Sequence, residues 1–358
     1  MKQGFTAILS RIFLSVNLVF AALLIVSAFG GYVNPKVFPW LVSATLLFPL
    51  LFAVNVAFVL MWLMVCSRRW LWSFLVLLAT AFQFRIYCPI NLPQPAPKGS
   101  VKVLTYNLFG YGGFPRKEAF ADMMDFLANC DANICCLQEA YYSERYKAEI
   151  EAALSHWSYR DSVSFARVGN ALMLCSDFPI VDRRVISSPS YSHVCVAYRL
   201  LADADTIVVV NSHFVSNAMN AEDKQVYHDI ITAPEEGNTG SDVIRLGRKV
   251  NAAGVKRAEQ ADSLLAYLET LGDVPVIVCG DFNDSPLSYV HHRLTRNLTD
   301  AYVASGSAPG ISYHLSGMFF RLDNILCSNH WRSFGARVMS DRKMSDHYPL
   351  EAVLKRVR

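Results

Sequence analysis

The sequence predicts an α/β fold, a layered domain of strands and helices that follows an N-terminal segment of transmembrane helices. Two observations predict it. Residues 1–98 are strongly apolar and hold seven Lys or Arg but no Asp or Glu, as membrane segments do. Residues 99–358 hold 26 basic and 30 acidic side chains, a net charge of −4, and their short apolar runs alternate with helical patterns.

The apolar segment contains three stretches without a charged residue. They are residues 12–35, 37–67 and 70–84. The first two are long enough to cross about 30 Å of hydrocarbon as helices. The third spans only if its helix continues to about Ile90 while Arg85 reaches the membrane interface. We therefore expect residues 1–90 to form a membrane anchor with about three transmembrane helices.

The basic residues indicate how this anchor is oriented. Lys2 and Arg11 flank the first stretch. Arg68 and Arg69 lie between the second and third stretches, whereas only Lys36 lies between the first and second. The positive-inside rule then places the N-terminus in the cytoplasm. Three spans put the rest of the chain on the extracytoplasmic side, and two spans would leave it in the cytoplasm.

Residues 91–99 are expected to be a Pro-rich linker. Pro93, Pro95 and Pro97 occupy alternate positions and favour a short, extended chain. Such a linker would hold the following domain, which we assign to residues 100–358, close to the bilayer.

The elements of this domain follow from hydrophobic periodicity. Apolar and β-branched runs predict strands at residues 101–108, 134–137, 170–175, 194–200, 206–211, 274–279, 324–327 and 351–354. Amphipathic spacing predicts helices at residues 116–129 and 250–268. Residues 217–248 are polar and predict an irregular connection, which we expect to form a partly ordered rim that contributes to substrate choice.

The cysteines do not form a recognisable framework. Seven of the nine lie in residues 99–358, an odd number without the spacing of a metal site. Cys135, Cys136 and Cys279 fall inside apolar strand-like runs, where a Cys is usually a small buried hydrophobe. We interpret these residues as structural thiols rather than as disulfides or zinc ligands.

Polar residues follow several of the predicted strands directly. They are Asn107, Glu139, Asn211, Ser212, His213, Asp281, Asn283, Asp323, Asp346 and His347. A rigid sheet can present side chains at its strand ends to one cleft. Carboxylates suit a hard cation such as Mg²⁺, imidazoles suit proton transfer or anion contact, and amides suit phosphate oxygens. The set therefore favours hydrolysis of a phosphate ester by attack of water.

Seven short motifs carry a family resemblance. They are TYN at 105–107, QE at 138–139, NALMLCSDFPI at 170–180, NSHF at 211–214, GDFND at 280–284, RLDNIL at 321–326 and SDHYPL at 345–350. In this order they resemble the endonuclease/exonuclease/phosphatase superfamily, which includes deoxyribonucleases, neutral sphingomyelinases and inositol polyphosphate 5-phosphatases. The resemblance implies a four-layer α/β/β/α sandwich and a metal-dependent phosphoric ester hydrolase.

The resemblance also implies a metal site. By matching position, Glu139 is the principal ligand of a Mg²⁺ ion, with Asn107 and Asp346 beside it, and Mn²⁺ is the alternative metal. Some relatives carry an Asp two residues after the first Asn of the pattern. Here that position is Phe109, so a second tightly bound metal is not expected.

The remaining motif residues are implied to act on the substrate. Asp281 would position or deprotonate the attacking water, and Asn283 would hold a phosphate oxygen. Asp323 would orient His347, and His213 takes the place of a catalytic His in the deoxyribonuclease and sphingomyelinase branches. The implied phosphate-binding residues are Asn107, Asn211 and Asn283.

The substrate itself is not readable from the motifs. A net charge of −4 and a nearby bilayer favour a small or membrane-borne phosphate ester over duplex DNA, which basic proteins grip. An endonuclease or exonuclease acting on DNA or RNA is the alternative, and a catalytically silent membrane receptor is a third reading. No obligate protein partner is inferred. Asp300 also resembles a family position, but a helix cap explains it equally, and we leave it outside the site.

Overall fold

The computed structural model describes most of the chain. The described residues are 2–111, 113, 118–141, 144–165, 170–187, 195–202, 205–232, 240–315 and 317–357. Their N-terminal part is helical and comprises α1 (Lys2–Phe29), α2 (Trp40–Leu46), α3 (Phe48–Met64), α4 (Trp70–Ala79) and α5 (Ala81–Tyr87).

One stretch of this part, Ile8–Tyr32, is long and apolar enough to cross a membrane as a single helix. Two further pairs of helices meet the same criteria only when each pair counts as one span. The α2–α3 pair is bent by 55° and the α4–α5 pair by 58°. Length and composition are therefore compatible with one to three spans, and the expectation of three stays a prediction.

The C-terminal part contains two six-stranded sheets. The first has the strand order β11 (Trp331–Val338), β12 (Leu350–Arg356), β1 (Val101–Asn107), β2 (Ile134–Gln138), β4 (Asn170–Ser176) and β3 (Tyr159–Phe165). The second has the order β5 (Ile180–Ile186), β6 (Cys195–Ala202), β7 (Asp205–His213), β8 (Val276–Asp281), β10 (Asp323–Cys327) and β9 (Thr299–Asp300). The remaining helices are α6 (Ala119–Ala128), α7 (Lys147–Ala153), α8 (Ala221–Thr232), α9 (Gly240–Glu269), α10 (Tyr289–Leu294) and α11 (Ala301–Ser305).

Three apolar clusters stack these elements into four layers. The central cluster joins the facing sides of both sheets, for example Val103 with Val209. A second cluster packs Met123 of α6 on the outer face of the first sheet. A third packs Leu264 of α9 and Val290 of α10 on the outer face of the second sheet. The α/β/β/α sandwich implied by the resemblance is confirmed.

The segment between His213 and the long second helix differs from the prediction. Residues 217–248 were expected to be irregular, but they contain all of α8 and the first nine residues of α9. The polar sequence did not predict these helices, because this part of the chain buries few apolar side chains. Among the described side chains of α8, Asp223 is the fully buried one. In α9 the buried stripe begins at Leu246. Residues 233–239 of this segment lie outside the described part.

The linker is bonded to the domain at its first residue, Asn91. Asn91 donates from its side-chain Nδ2 to the carbonyls of Val303 and Gly306, at 3.0 and 2.6 Å. Its backbone carbonyl accepts from the hydroxyl of Ser307 at 2.8 Å. The chain after the helical segment is thus fastened to the domain from its first residues onward.

All nine cysteines lie in the described part, and none forms a disulfide. Cys135, Cys175 and Cys279 are buried in strands, where burial raises the pKa of each thiol. The interpretation as structural thiols stays a prediction, and this burial supports it, since a thiol that stays protonated is unreactive.

Candidate active site

The two sheets bring their polar strand ends to one edge. β1 and β2 are parallel, as are β7 and β8, so the carboxyl ends of each pair lie side by side. The side chains at these four ends are Asn107, Glu139, His213 and Asp281. β10 runs antiparallel to β8, and its first residue, Asp323, therefore lies opposite Asp281.

Three residues at this edge have left-handed backbones. Phe109, Glu139 and Asn283 have φ angles of 48°, 49° and 51°. Residues other than glycine adopt this conformation rarely, and when they do they cluster at functional sites, where the surrounding fold holds them. Glu139 and Asn283 both line the same cavity.

Asp323 and His347 form a buried pair at the centre of the site. The Oδ2 atom of Asp323 lies 2.7 Å from Nδ1 of His347, in hydrogen-bond contact. Burial alone would lower the pKa of His347, but the negative charges of Asp323 and Asp281 outweigh it and raise that pKa to about 10. His347 is therefore an imidazolium at neutral pH, and its Nε2 lies 3.6 Å from Oδ2 of Asp281.

Asp281 is held by the amides around it. The backbone N–H of Asn283 donates to Oδ1 of Asp281 at 2.8 Å. The side-chain amides of Asn283 and Asn107 donate to its Oδ2, at 3.2 and 3.1 Å. Burial raises the pKa of Asp281, and the charge on His347 opposes that effect. A fixed, buried carboxylate with a raised pKa is a suitable general base.

His213 lies on the other side of Asp281. Its Nε2 is 3.7 Å from both Oε1 of Glu139 and Oδ2 of Asp281. Its Nδ1 is 2.8 Å from the side-chain Nδ2 of Asn170, which can only donate, so Nδ1 accepts and the ring proton is on Nε2. Burial lowers the pKa of His213 despite the nearby Asp281. The two histidines therefore differ in charge, one neutral and one cationic.

Four carboxylates share this small volume: Glu139, Asp281, Asp323 and Asp346. Among the described residues, Asp281, Asp323 and His347 have ligand atoms within 4.8 Å of one another, a buried acidic and histidine cluster that could bind a metal. Within this cluster, Nδ1 of His347 is already in hydrogen-bond contact with Asp323. Burial raises the pKa of Glu139, and the charge of Asp346 adds to the effect. An excess of buried negative charge of this kind is stabilised by a divalent cation.

Two amides occupy places that differ from those implied by the resemblance. Asn107 points its Nδ2 at Oε1 of Glu139, 3.1 Å away, and its Oδ1 accepts from the backbone N–H of Phe109. Asn107 is therefore a donor to the carboxylates in this arrangement, and its roles as a metal ligand and a phosphate-binding residue stay predictions.

Asn211, which we expected to bind phosphate, is completely buried. It donates to the carbonyls of Leu137 and Met173 and accepts from Gln138 at 2.7 Å. These bonds join the two sheets and use both amide hydrogens, so we correct its role to structural.

Three residues near the site were not among the expected set. Lys224 of α8 lines the cavity, and its charge lowers the pKa of Glu139. Asn170 fixes the ring of His213, as described above. The ring of Tyr313 meets the ring of His347 edge-on at 5.0 Å. Asn170 is the first residue of the motif NALMLC, and its position in that motif could have indicated that it belongs to the site. Lys224 could not be identified in this way, because its segment was expected to be irregular.

Asp300 caps α11 by accepting from the backbone N–H groups of Tyr302 and Val303. Its other oxygen lies 2.8 Å from Nε2 of His291. The helix-cap reading of Asp300 is confirmed.

The site opens into a cavity of about 480 Å³. One wall carries the polar residues described above. The apolar residues of the lining, called here the apolar wall, are Leu46, Leu47, Tyr227, Ile230, Val243, Leu246, Val250 and Met318. Its first two residues come from the N-terminal helical segment, so both parts of the chain build this cavity.

Comparison with known families gives two matches. Residues 104–347 match the model of the Endonuclease/Exonuclease/phosphatase family. Residues 10–87 match a domain of unknown function, DUF8431. No curated protein matches the chain.

Solved structures share the fold at low sequence identity. The catalytic domain of human Nocturnin with bound sulfate is 19% identical, with 75% of this chain and 96% of that chain covered and a TM-score of 0.52. An endonuclease/exonuclease/phosphatase from Bacteroides vulgatus is 17% identical, with 73% and 100% covered and a TM-score of 0.51. ANGEL2, a 2',3'-cyclic phosphatase in complex with adenosine-2',3'-vanadate, is 14% identical, with 74% and 99% covered and a TM-score of 0.51.

Proposed function

The chain belongs to the endonuclease/exonuclease/phosphatase family, and from that premise we propose that it is a membrane-anchored, Mg²⁺-dependent hydrolase of phosphate esters. The observation that carries the proposal is that Nε2 of His347 and Nε2 of His213 lie 3.6 and 3.7 Å from Oδ2 of the buried Asp281. Two imidazoles around one buried carboxylate suit an anionic substrate and a proton transfer.

Each of these side chains has a step that it can perform. Asp281 accepts a proton from the water that attacks phosphorus, since its raised pKa makes it a better base. His347, kept protonated by Asp323, stabilises the charge that develops on the phosphoryl oxygens. His213 carries a proton on Nε2, which faces the cavity side of Asp281 and can donate a hydrogen bond to the substrate.

The metal would be held by Glu139 and Asp346, with substrate oxygens and waters completing its coordination. When bound it would neutralise negative charge on the phosphate. Asn107 would have to rotate its amide to add an oxygen, because its Nδ2 faces Glu139 here. Mg²⁺ suits this all-oxygen set, and Mn²⁺ shares the preference.

The names of two similar structures support a tetrahedral anion as the ligand. The Nocturnin structure holds sulfate, and ANGEL2 is described as a 2',3'-cyclic phosphatase bound to a vanadate. Those ligands belong to those proteins, and their shared chemistry is what we propose for this chain. A silent receptor is disfavoured, because four of the residues implied as catalytic line the same cavity, namely His213, Asp281, Asn283 and His347. The fifth, Asp323, is buried behind them in hydrogen-bond contact with His347.

The membrane anchor rests on the helical segment. Its described residues expose many large apolar side chains, including Ile12, Val19, Leu50, Leu78 and Phe82. A surface of this extent is unusual for a protein in water and is typical of contact with lipid.

The test is replacement of Glu139 in the full-length protein. Glu139→Gln keeps the shape and removes the charge, so Mg²⁺-dependent hydrolysis of bis(p-nitrophenyl) phosphate should fall by about two orders of magnitude or more. Excess EDTA should have the same effect on the unaltered protein. Glu149→Gln, an exposed carboxylate on α7, is the control and should be unaffected. Full activity in EDTA or in Glu139→Gln would contradict the metal assignment.

A further inference from the structure

The cavity beside the site has two chemically distinct walls. The polar wall holds the groups that would act on a phosphate, and the apolar wall has no charged residue. A phosphate that reaches Asp281 therefore leaves the rest of its molecule against hydrocarbon side chains. Ligand-binding cavities of roughly 300–1,000 Å³ are typical for small molecules, and about 480 Å³ lies in this range.

The apolar wall is partly built by the helical segment that we propose to lie in the membrane. Leu46 ends α2, and Leu47 stands at the 55° bend between α2 and α3. Leu47 is half exposed, and the apolar helix α3 begins at the next residue. The cavity is thus continuous with the start of a candidate membrane span.

Specific contacts hold α2 in this place. The backbone N–H of Ser43 donates to Oδ1 of Asn251 in α9 at 3.0 Å. Val42 packs against Gly254 so closely that a Cβ on the glycine would lie 2.6 Å from the Val42 methyl carbons. Lys36 forms an ion pair with Glu259 at 3.1 Å. The wall is therefore a fixed part of the cavity rather than a loose neighbour.

The charges of the cavity disfavour a polynucleotide. Its lining contains two basic residues, Lys224 and Arg257. Arg257 is buried and already bound to Asp284, with Nε 3.0 Å from Oδ2. Among the described residues of the lining, Lys224 and the protonated His347 then face the substrate as cations, and so small a number fits a single phosphate group better than a chain of phosphates.

We propose that the apolar wall binds the hydrocarbon chain of a membrane lipid whose phosphate ester is hydrolysed at Asp281. The proposal rests on the proposed function and specifies its substrate class. The lipid's phosphate enters at Glu139, His213 and His347, and its acyl chain lies between α2, α8 and α9.

The structure offers a substitution that fills the cavity without disturbing the fold. Gly247 of α9 lines the cavity, and a Cβ built on it meets no atom within 4 Å. Gly247→Trp should therefore occupy the space of the acyl chain. Gly240→Trp is the matched control, because Gly240 is exposed, lies on the same helix and has the same open space at its Cβ.

The experiment uses full-length protein in vesicles of phosphatidylglycerol that carries a diazirine near the end of one acyl chain. After illumination, the crosslinked peptides are mapped. We expect labelling of α8 and α9 at the apolar wall, and a loss of this labelling in Gly247→Trp. Labelling of the lipid-facing surface of α1 serves as the internal control and should be equal in all variants. Equal labelling of α9 in Gly247→Trp, or none in the unaltered protein, would overturn the proposal.

Turnover separates this proposal from the proposed function. Hydrolysis of the vesicle lipid should fall at least about tenfold in Gly247→Trp, because several methylenes lose their site, and should stay within about twofold in the control Gly240→Trp. Equal turnover of the vesicle lipid by the two variants would contradict a lipid-binding wall. Labelling of α9 without hydrolysis of any phosphate ester would leave the lipid site standing and contradict the hydrolase.

Discussion

The proton on His347 is fixed by its neighbours in the sheet edge. Asp323 accepts from its Nδ1, and the backbone N–H of His347 donates to the hydroxyl of Ser345. That hydroxyl donates in turn to the backbone carbonyl of Asn107. The imidazolium is thus joined to the end of β1 and to the start of β10, and its position and charge depend on both sheets.

Asp323→Asn should lower the pKa of His347 from about 10, since only the charges of Asp281 and Asp346 then oppose the effect of burial. In the unaltered protein the raised pKa stabilises the fold fully below about pH 6.5, and this stabilisation is lost as the pH rises through about 10. Histidine NMR titration of the metal-free protein measures the shift. An unchanged pKa would show that Asp323 is not the main source of charge.

The site residues could be predicted from the sequence where a polar residue directly follows an apolar strand. Glu139, His213 and Asp281 each follow an apolar strand, and parallel pairing brings them together. The structural role of Asn211 could not be predicted. Its side chain lies on the face of β7 that points into the interior between the two sheets, and the sequence did not show which face of the strand that would be. The orientation of the Asn107 amide depends on Phe109, whose backbone conformation the sequence does not reveal.

At the scale of elements, α8 is held on α9 by one buried carboxylate. Asp223 forms ion pairs with Arg245 and Lys249, both on α9. The backbone N–H of Asp223 also donates to Oδ1 of Asn220, the residue that precedes the helix. α8 contributes Lys224, next in sequence, to the cavity.

Asp223→Asn should loosen α8, because two cations lose their charged partner while the shape of the side chain is kept. We expect KM for the phosphate ester to rise by about tenfold and kcat to change less, since the residues around Asp281 are not on α8. Asp229→Asn, more exposed on the same helix, is the control. A fall in kcat with no change in KM would show that α8 supports the chemistry instead.

The elements with strong periodicity were predictable, and weakly patterned ones were not. Strands β1, β2 and β8 are buried on both faces and read as continuous apolar runs. By contrast, β3 and β5 are mostly exposed edge strands, and no apolar pattern marked them. α8 was missed for the related reason that it presents little apolar surface to the domain.

At the scale of the whole molecule, the helical segment and the sandwich share one packed interface. Gly31 lies against the backbone of Leu287, and the ring of Tyr32 stacks on His292 at 3.9 Å. On the opposite side, Nη2 of the buried Arg321 donates to the backbone carbonyl of Ile86 at 2.7 Å. Contacts at the first loop and at the end of α5 therefore add two points of attachment to the contacts between α2 and α9.

Gly31→Ala should weaken this interface. The added Cβ would lie 2.0 Å from the carbonyl oxygen of Leu287, so backbone must move, at a cost of about 1–3 kcal/mol. Thermal unfolding of the detergent-solubilised protein and hydrogen exchange of α10 measure the effect. Gly240→Ala, whose Cβ meets no atom within 4 Å, should be neutral or slightly stabilising. Equal stability of both variants would show that the contact at Gly31 is easily relieved.

Topology can be tested on the same molecule. With three spans and cytoplasmic Arg68 and Arg69, a reporter fused after Arg358 should lie on the extracytoplasmic side. An alkaline phosphatase reporter, active only outside the cytoplasm, should therefore be active, and a fluorescent protein that folds only inside should be dark. The reverse pattern would mean that the bent α4–α5 pair does not cross.

The fastening of the sandwich at two points has a kinetic consequence if the lipid proposal holds. An enzyme tethered by a flexible linker samples many orientations, whereas one docked through Gly31 and Arg321 keeps its cavity at a constant height above the bilayer. Substrate would then arrive by lateral diffusion in two dimensions, without leaving the membrane. The rate would depend on the mole fraction of the lipid in the surface and not on its amount per volume, so diluting the surface with inert lipid would slow the reaction while diluting the vesicles would not.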